Sequence, residues 1–116
     1  MTFKEFSLHQ DLLSGLGSMG FDEPTPIQEQ TIPPILAGSD IIGCAQTGTG
    51  KTAAYLLPTI HHILQHKGEG IQALVIAPTR ELAGQIDQQL EGFSYFTPIS
   101  STTIYGGQDA SSFDKQ

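Results

Sequence analysis

The chain has 116 residues, 38% of them apolar and 15% charged, which is the composition of one ordinary globular domain. Five Lys and Arg against twelve Asp and Glu give a net charge of −7, which excludes nucleic-acid binding through a broad basic surface. The single cysteine, Cys44, excludes an intramolecular disulfide and a cysteine-built zinc site, so we expect a cytoplasmic protein without a disulfide partner. Because the sequence shows neither a secretory leader nor a membrane-spanning apolar run, we expect no membrane partner.

Two helices are predicted near the start of the chain. Ser7 is a suitable N-cap for the first helix, whose apolar face consists of Leu8, Leu12, Leu13 and Leu16. Thr25 and Pro26 begin the second helix, because proline at the first helical position lacks only an N–H group that has no partner there. Gly38 ends this helix, and the prolines at 33–34 are expected to kink or divide it.

Three apolar or β-branched segments predict strands, at residues 40–44, 72–77 and 102–105. Helices are predicted after the first two strands, over about 51–65 and 79–91. Alternation of strands and helices is typical of βα units around a parallel sheet, so an α/β fold is predicted.

Residues 45–52, Ala-Gln-Thr-Gly-Thr-Gly-Lys-Thr, follow a predicted strand and run into a predicted helix, which is the context of a phosphate-binding loop. Gly48 and Gly50 allow close backbone approach, so that N–H groups can turn onto phosphate oxygens. Lys51 is expected to bridge the β- and γ-phosphates of a nucleotide, and Thr52 to offer its hydroxyl to Mg²⁺. The alternative is a glycine-rich turn that only begins a helix.

Four segments, in this order, carry a resemblance to a known family. They are Gly-Phe-Asp-Glu-Pro-Thr-Pro-Ile-Gln at 20–28, the loop at 45–52, Pro-Thr-Arg-Glu-Leu-Ala at 78–83, and Gly106-Gly107. The chain resembles the N-terminal part of a DEAD-box RNA helicase. In this family the first position of the phosphate loop is commonly alanine, as it is here.

The resemblance implies a P-loop NTPase fold, the N-terminal part of a RecA-like parallel-sheet domain with flanking helices. Residues 1–38 are then a helical segment that contains the Q motif, and residues 39–116 an incomplete first RecA-like domain. The second RecA-like domain of such helicases is absent from the chain.

ATP and Mg²⁺ are the cofactors that the resemblance implies. The 20–28 segment is then an adenine-recognition segment, in which the Gln28 amide suits the hydrogen-bonding edge of adenine, while Phe3 stacks on the base. The implied catalytic residues are Lys51 and Thr52. The implied nucleotide-binding residues are Phe3, Phe21, Pro26, Gln28, Gln46, Thr47, Gly48, Thr49, Gly50, Lys51 and Thr52. The alternatives are a core role for Phe3 and a solvated helix position for Gln28.

RNA is the implied partner, single-stranded or duplex, held through its sugar-phosphate backbone. The implied RNA-binding residues are Pro78, Thr79, Arg80, Gly106 and Gly107. Helix ends and backbone amides bind phosphates without a basic surface, which reconciles RNA binding with the acidic composition. The alternatives are an ion pair of Arg80 with Glu81 or another surface carboxylate, and a plain turn at the two glycines.

Residues needed for hydrolysis are not found. The sequence contains no Asp-Glu-Ala-Asp, and its one Asp-Glu pair, Asp22-Glu23, lies in the 20–28 segment. Phosphoryl transfer to water needs an acidic pair and usually an arginine finger. We therefore expect the parent protein to be an ATP-dependent RNA helicase and this chain alone to be inactive. A non-catalytic nucleotide- or RNA-binding module, or another P-loop NTPase or kinase, is the alternative.

Two further expectations concern stability and the histidines. His61, His62 and His66 are expected to form a solvated helix end rather than a metal site. A central strand without its neighbour leaves an exposed edge, so the isolated chain is expected to be poorly stable.

Overall fold

The computed structural model describes residues 2–46, 48, 50–66 and 68–104. These residues form a short 3₁₀ helix, Phe3–Phe6, followed by four α-helices. The α-helices are α1 (Gln10–Ser18), α2 (Pro26–Leu36), α3 (Lys51–His66) and α4 (Arg80–Phe93). None of the helices in this described part is long and apolar enough to cross a membrane.

The start of α2 agrees with its predicted capping residue, α4 starts within a residue of the predicted position, and the cap of α1 differs from the prediction. Thr25 and Thr79 are the N-caps of α2 and α4. The N-cap of α1 is His9, whose ring nitrogen accepts from the Asp11 N–H at 3.1 Å, rather than the predicted Ser7. Ser7 instead has a left-handed backbone, with φ of 59°, and connects the 3₁₀ helix to α1.

Helix α2 continues through Pro33 and Pro34 to Leu36, so the predicted division of this helix is wrong. The two prolines leave the carbonyls of Glu29 and Gln30 without intrahelical donors. Both of these residues are exposed, so water can satisfy their carbonyls.

One apolar core joins the 3₁₀ helix to all four α-helices. Its buried members are Phe3, Phe6, Leu8, Leu12, Leu16, Ile32, Ala53, Leu56, Leu57, Ile60, Leu64, Ile86 and Phe93. Helices α1 and α4 approach so closely that a Cβ atom at Gly15 would overlap the carbonyl of Phe93. The core holds α3 on several sides and therefore fixes the helix that follows the phosphate loop.

The three predicted strands are not formed in the part of the chain that the structure describes, and Tyr105 of the third lies outside it. Residues 40–44 and 72–77 are largely exposed, with Ile42 at 97% and Ile71, just before the second segment, at 91%. A strand exists only through backbone pairing with a neighbour, and these segments have no paired neighbour among the described residues. Their continuous apolar sequence is that of strands buried in a parallel sheet.

Two histidines of α3 contact neighbouring segments of the chain. The prediction that all three histidines form a solvated helix end is therefore wrong for His61 and His62. The backbone N–H of His9 donates to Nδ1 of His61 at 3.0 Å. His62 Nε2 lies 3.3 Å from the carbonyl oxygen of Ile35, near the end of α2. His66, at the end of α3, is exposed.

Lowering the pH from about 7.5 to about 5.5 is expected to reduce the free energy of unfolding through His61. Burial, and then the charges of His62, His9 and His66, lower the pKa of His61. His9, whose charge is one of these causes, has the Asp11 carboxylate 3.9 Å from its Nδ1. Because the folded-state pKa lies below the unfolded value of about 6.5, the unfolded chain binds more protons between the two. The stabilisation is therefore present above about pH 6.5 and is lost as the pH falls through the folded-state pKa.

A His61→Asn variant tests this pH dependence, because Asn retains an acceptor oxygen for the His9 N–H but does not titrate. Its melting temperature should fall less than that of the wild type across the same pH range. The exposed His66 provides the comparison, because its charge is the last and smallest of these causes. A His66→Asn variant should stay closer to the pH profile of the wild type than His61→Asn does. Equal pH profiles for His61→Asn and the wild type would contradict the prediction.

Candidate nucleotide-binding site

The phosphate loop has the backbone that its glycines predict. Gly48 and Gly50 have φ values of 84° and 85°, the left-handed region that favours glycine. The Gly50 carbonyl accepts from the Ala54 N–H at 3.2 Å, the first backbone bond of α3. The N–H groups of the first turn of α3 have no partner within the helix, and they lie at its positive end. This is a local arrangement that binds phosphate. Thr47 and Thr49 lie outside the described residues.

Lys51, the first residue of α3, folds back over the loop. Its Nζ donates to the carbonyl oxygen of Ala45 at 2.6 Å. The side chain is exposed, as is that of Gln46. The ammonium group therefore lies beside the loop backbone and can exchange the Ala45 carbonyl for a phosphate oxygen.

Thr52 is the residue predicted to bind Mg²⁺, and its hydroxyl is hydrogen-bonded to the phenol of Tyr55. Burial raises the pKa of Tyr55, and this hydrogen bond partly opposes the shift. A threonine hydroxyl that donates its proton to the phenol keeps its lone pairs for a cation. Sequence reasoning missed the Tyr55 contact, although the two residues are three positions apart on the predicted helix.

Gln28 links the 20–28 segment to the phosphate loop. Its Oε1 accepts from the Thr25 N–H at 2.9 Å, and its Nε2 donates to the Gly50 carbonyl at 3.1 Å. The side chain is only 1% exposed, so the solvated alternative for Gln28 is wrong. One N–H and one oxygen lone pair of the amide remain uncommitted.

An open cleft of about 570 Å³ lies between the 20–28 segment and the phosphate loop. Its lining residues come from both segments: Met19, Gly20, Phe21, Asp22, Glu23, Thr25, Gln28, Gly48 and Gly50. The Phe21 ring packs edge-on against Phe93 at a centroid distance of 5.2 Å, which holds it in place. Pro26, the first residue of α2, is exposed and is not among the lining residues.

Phe3 lies in the core, and its side chain is 3% exposed. Its ring contacts those of Phe6 and Phe21 at centroid distances of 6.0 and 6.3 Å. The structure therefore supports the core alternative for Phe3. Phe3 does not line the cleft, but its ring contacts Phe21, which does. A base-stacking role for Phe3 stays a prediction.

The residues predicted to bind RNA lie at the start of α4. Pro78, Thr79 and Arg80 are all exposed. The Thr79 hydroxyl accepts from the Leu82 N–H at 3.1 Å, so its oxygen caps the helix while its proton can still be donated. Gly106 and Gly107 lie outside the described residues.

These features define a P-loop nucleotide-binding protein. They are the left-handed glycines of the loop, the helix N-terminus with its lysine and threonine, and the cleft beside them. The model of the DEAD/DEAH box helicase family matches residues 25–116. The chain belongs to this family, which confirms the resemblance.

Individual sequences and solved structures of helicases also resemble this chain. The chain is 53% identical over 109 residues to the ATP-dependent RNA helicase CshA of Listeria monocytogenes, a match that covers 94% of this chain and 21% of that protein. A DEAD box protein from Methanococcus jannaschii superposes with a TM-score of 0.92 at 34% identity, covering 99% of this chain and 31% of that one. The ADP-bound RNA helicase Prp28 of Chaetomium thermophilum gives a TM-score of 0.86 at 41% identity, covering 96% of this chain and 28% of that one.

These superpositions confirm the predicted fold class, an α/β RecA-like domain with flanking helices, even though the predicted strands are unpaired here. The chain spans about a fifth of the length of the curated relatives it matches.

Proposed function

We propose that this chain binds ATP together with Mg²⁺, with the phosphates at the N-terminus of α3 and adenine in the cleft. The observation that carries the proposal is that one cleft is lined both by the 20–28 segment and by Gly48 and Gly50 of the phosphate loop. A single nucleotide can therefore contact both segments. The uncommitted N–H and lone pair of Gln28 suit the edge of adenine, and Phe21 supplies an apolar surface for the base.

The residues around the loop fit a magnesium nucleotide. Mg²⁺ prefers oxygen ligands, keeps several waters and takes only one or two protein groups beside the phosphates, which matches a single hydroxyl from Thr52. When bound, the ion would neutralise phosphate charge. Lys51 would leave the Ala45 carbonyl and contact the β- and γ-phosphates.

RNA binding is the second part of the proposal. Thr79 and Arg80 lie at the N-terminus of α4, where helix N–H groups favour phosphate, and Pro78 exposes the preceding turn. We propose that these residues, with Gly106 and Gly107, contact the sugar-phosphate backbone. The name of the Listeria relative, an RNA helicase, supports this assignment.

For the parent protein we propose ATP-dependent RNA unwinding in the cytoplasm. Residues 1–38 would act as the Q-motif segment and residues 39–116 as part of the first RecA-like domain. The chain contains no Asp-Glu-Ala-Asp sequence. We therefore propose that this chain alone binds ATP without hydrolysing it at a significant rate.

Titration of the purified chain with fluorescent ATP in the presence of Mg²⁺, followed by a hydrolysis assay, tests the proposed ATP binding and the proposed inactivity of the chain. ATP should bind, and GTP should compete at least about tenfold less well, because guanine does not match the Gln28 amide. Hydrolysis with added RNA should not exceed that of a Lys51→Ala control. A preference for GTP would contradict the adenine assignment. RNA-stimulated hydrolysis well above the control would contradict the inactivity of the chain.

A further inference from the structure

A second cavity, of about 310 Å³, lies at the C-terminal end of α4. Its lining includes Glu91, Ser94, Tyr95, Thr97, Ile99 and Ser101. Among the described residues, it shares none of its lining with the nucleotide cleft. The 14 residues of α4 place it about 20 Å from the proposed RNA-binding residues at the start of this helix. It is therefore a separate site, and cavities of about 300 Å³ or more can hold a small ligand group.

Three hydroxyl groups of this cavity use their protons within the chain. Ser94 Oγ donates to the carbonyl oxygen of Leu90. Thr97 Oγ1 donates to the carbonyl oxygen of Ser94 at 2.7 Å, and Ser101 Oγ donates to the Asp87 carboxylate. A hydroxyl that has donated its only proton can offer a ligand only its lone pairs. These three hydroxyls therefore act as acceptors, which suits a ligand group that carries only donors.

The charge at this helix end is negative. Glu91 lies in the last turn of α4, which contains no basic residue. Partial negative charge accumulates on the carbonyl groups of a helix C-terminus, so a glutamate there is unfavourable for helix stability. Residues 81–104 contain no Lys, Arg or His, and Glu91 forms no ion pair within the part of the chain that the structure describes. A bound cation would offset both the carboxylate and the helix end.

Exposed aromatic rings accompany this negative charge. Tyr95, which lines the same cavity as Glu91, is 77% exposed, and the adjacent Phe96 is 49% exposed. The two rings pack edge to face at a centroid distance of 5.0 Å. The face of an aromatic ring attracts a cation, most often the guanidinium of arginine. Exposed tyrosine and phenylalanine are also enriched in protein–protein interfaces.

We infer that this cavity binds an arginine side chain of a protein partner. A guanidinium has five N–H donors and no acceptor, which matches the acceptors around the cavity. Its planar fork can pair with the Glu91 carboxylate while its face stacks on the Tyr95 ring. RNA is the less suitable occupant, because its phosphates would be repelled by Glu91 and by the negative helix end. Loss of this site would leave the proposed nucleotide and RNA sites unchanged.

Fluorescence anisotropy of a fluorescein-labelled hexa-arginine peptide with the 116-residue chain tests this site. The chain should bind hexa-arginine at least about fivefold more tightly than hexa-lysine, because only the guanidinium is planar and stacks on a ring. Glu91→Gln and Tyr95→Ala should each weaken the binding of hexa-arginine by about fivefold or more. Equal affinity for the two peptides, or an unchanged affinity in either variant, overturns the inference.

Glu81→Gln is the matched control for charge, since Glu81 is exposed on the same helix and does not line the cavity. It should retain the wild-type affinity, as should Tyr95→Phe, which keeps the ring. Equal losses in Glu81→Gln and Glu91→Gln would assign the binding to overall negative charge and overturn the inference. Labelled oligouridylate should bind Tyr95→Ala as it binds the wild type, whereas a loss of RNA affinity would assign the cavity to RNA and overturn the inference.

Both test substitutions are at exposed positions, so the fold should be retained. Removal of the Glu91 charge from the negative helix end should leave the melting temperature unchanged or raise it. If neither variant folds by circular dichroism, NMR of the wild type decides. The ring protons of Tyr95 should shift when hexa-arginine is added, and the absence of a shift overturns the inference.

Discussion

Replacing Lys51 by alanine is expected to lower the affinity for Mg-ATP about 100-fold while leaving the fold intact. A hydrogen bond between an ammonium and a phosphate is charge-assisted, and its loss costs about 1.5 to 3 kcal/mol. In the free chain the Lys51 ammonium is exposed and bonds to the Ala45 carbonyl. Alanine is also the best helix former, so its effect on the free energy of unfolding should be under about 1 kcal/mol.

Binding of fluorescent ATP and a thermal melt measure the two effects of Lys51→Ala. Lys4 provides the matched control, because it is an exposed lysine on the 3₁₀ helix, outside the cleft lining. Lys4→Ala makes the same change in net charge and should retain the affinity of the wild type. Equal losses in the two variants would assign the effect to overall charge and contradict a direct contact between Lys51 and phosphate.

Replacing Gly50 by alanine is expected to reduce both stability and ATP affinity more than the same change at Gly48. Both positions have left-handed backbones, which cost alanine about 1 kcal/mol. A Cβ at Gly48 meets nothing within 4 Å, whereas a Cβ at Gly50 would overlap the Gln28 amide. Steric overlap and the lost Nε2 hydrogen bond should raise the destabilisation of Gly50→Ala to about 3 kcal/mol.

Denaturant unfolding of the two glycine variants measures this difference. A double variant, Gly50→Ala with Gln28→Ala, should recover part of the stability lost in Gly50→Ala, because the overlapping amide is removed. Equal destabilisation at positions 48 and 50 would show that backbone strain accounts for both. Purely additive effects in the double variant would also contradict the proposed contact.

Several features of the site were predictable because they depend on neighbours in sequence. The phosphate loop combines glycines with a following helix. The Thr79 hydroxyl accepts the N–H of Leu82, three residues further on, and the Gln28 side chain accepts the N–H of Thr25, three residues before it. The Thr-x-x-Gln pattern at 25–28 also signals a capping box, in which the glutamine side chain turns back to the cap. A fixed Gln28 side chain was therefore predictable from this pattern, although it was not predicted.

Other features depend on residues that are distant in sequence. Gln28 and Gly50 are 22 positions apart, and His9 and His61 are 52 positions apart. No local pattern specifies which buried acceptor a side chain will meet, because the packing of α2 against α3 and of α1 against α3 determines it. For the same reason the sequence left the choice between base stacking and a core position for Phe3 open, and packing places its ring in the core.

The predicted strands show most clearly the difference between features that depend on sequence neighbours and features that depend on distant residues. The order of strand and helix segments along the chain was enough to predict the α/β class, because this alternation is typical of βα units around a parallel sheet. Local sequence also placed the glycine loop, the lysine and the threonine together at one helix start. Only the tertiary structure shows that residues 40–44 and 72–77 remain unpaired here. It also shows that Gln28 donates to the Gly50 carbonyl. Pairing and close packing need a second segment, and the pattern of one segment does not specify its partner.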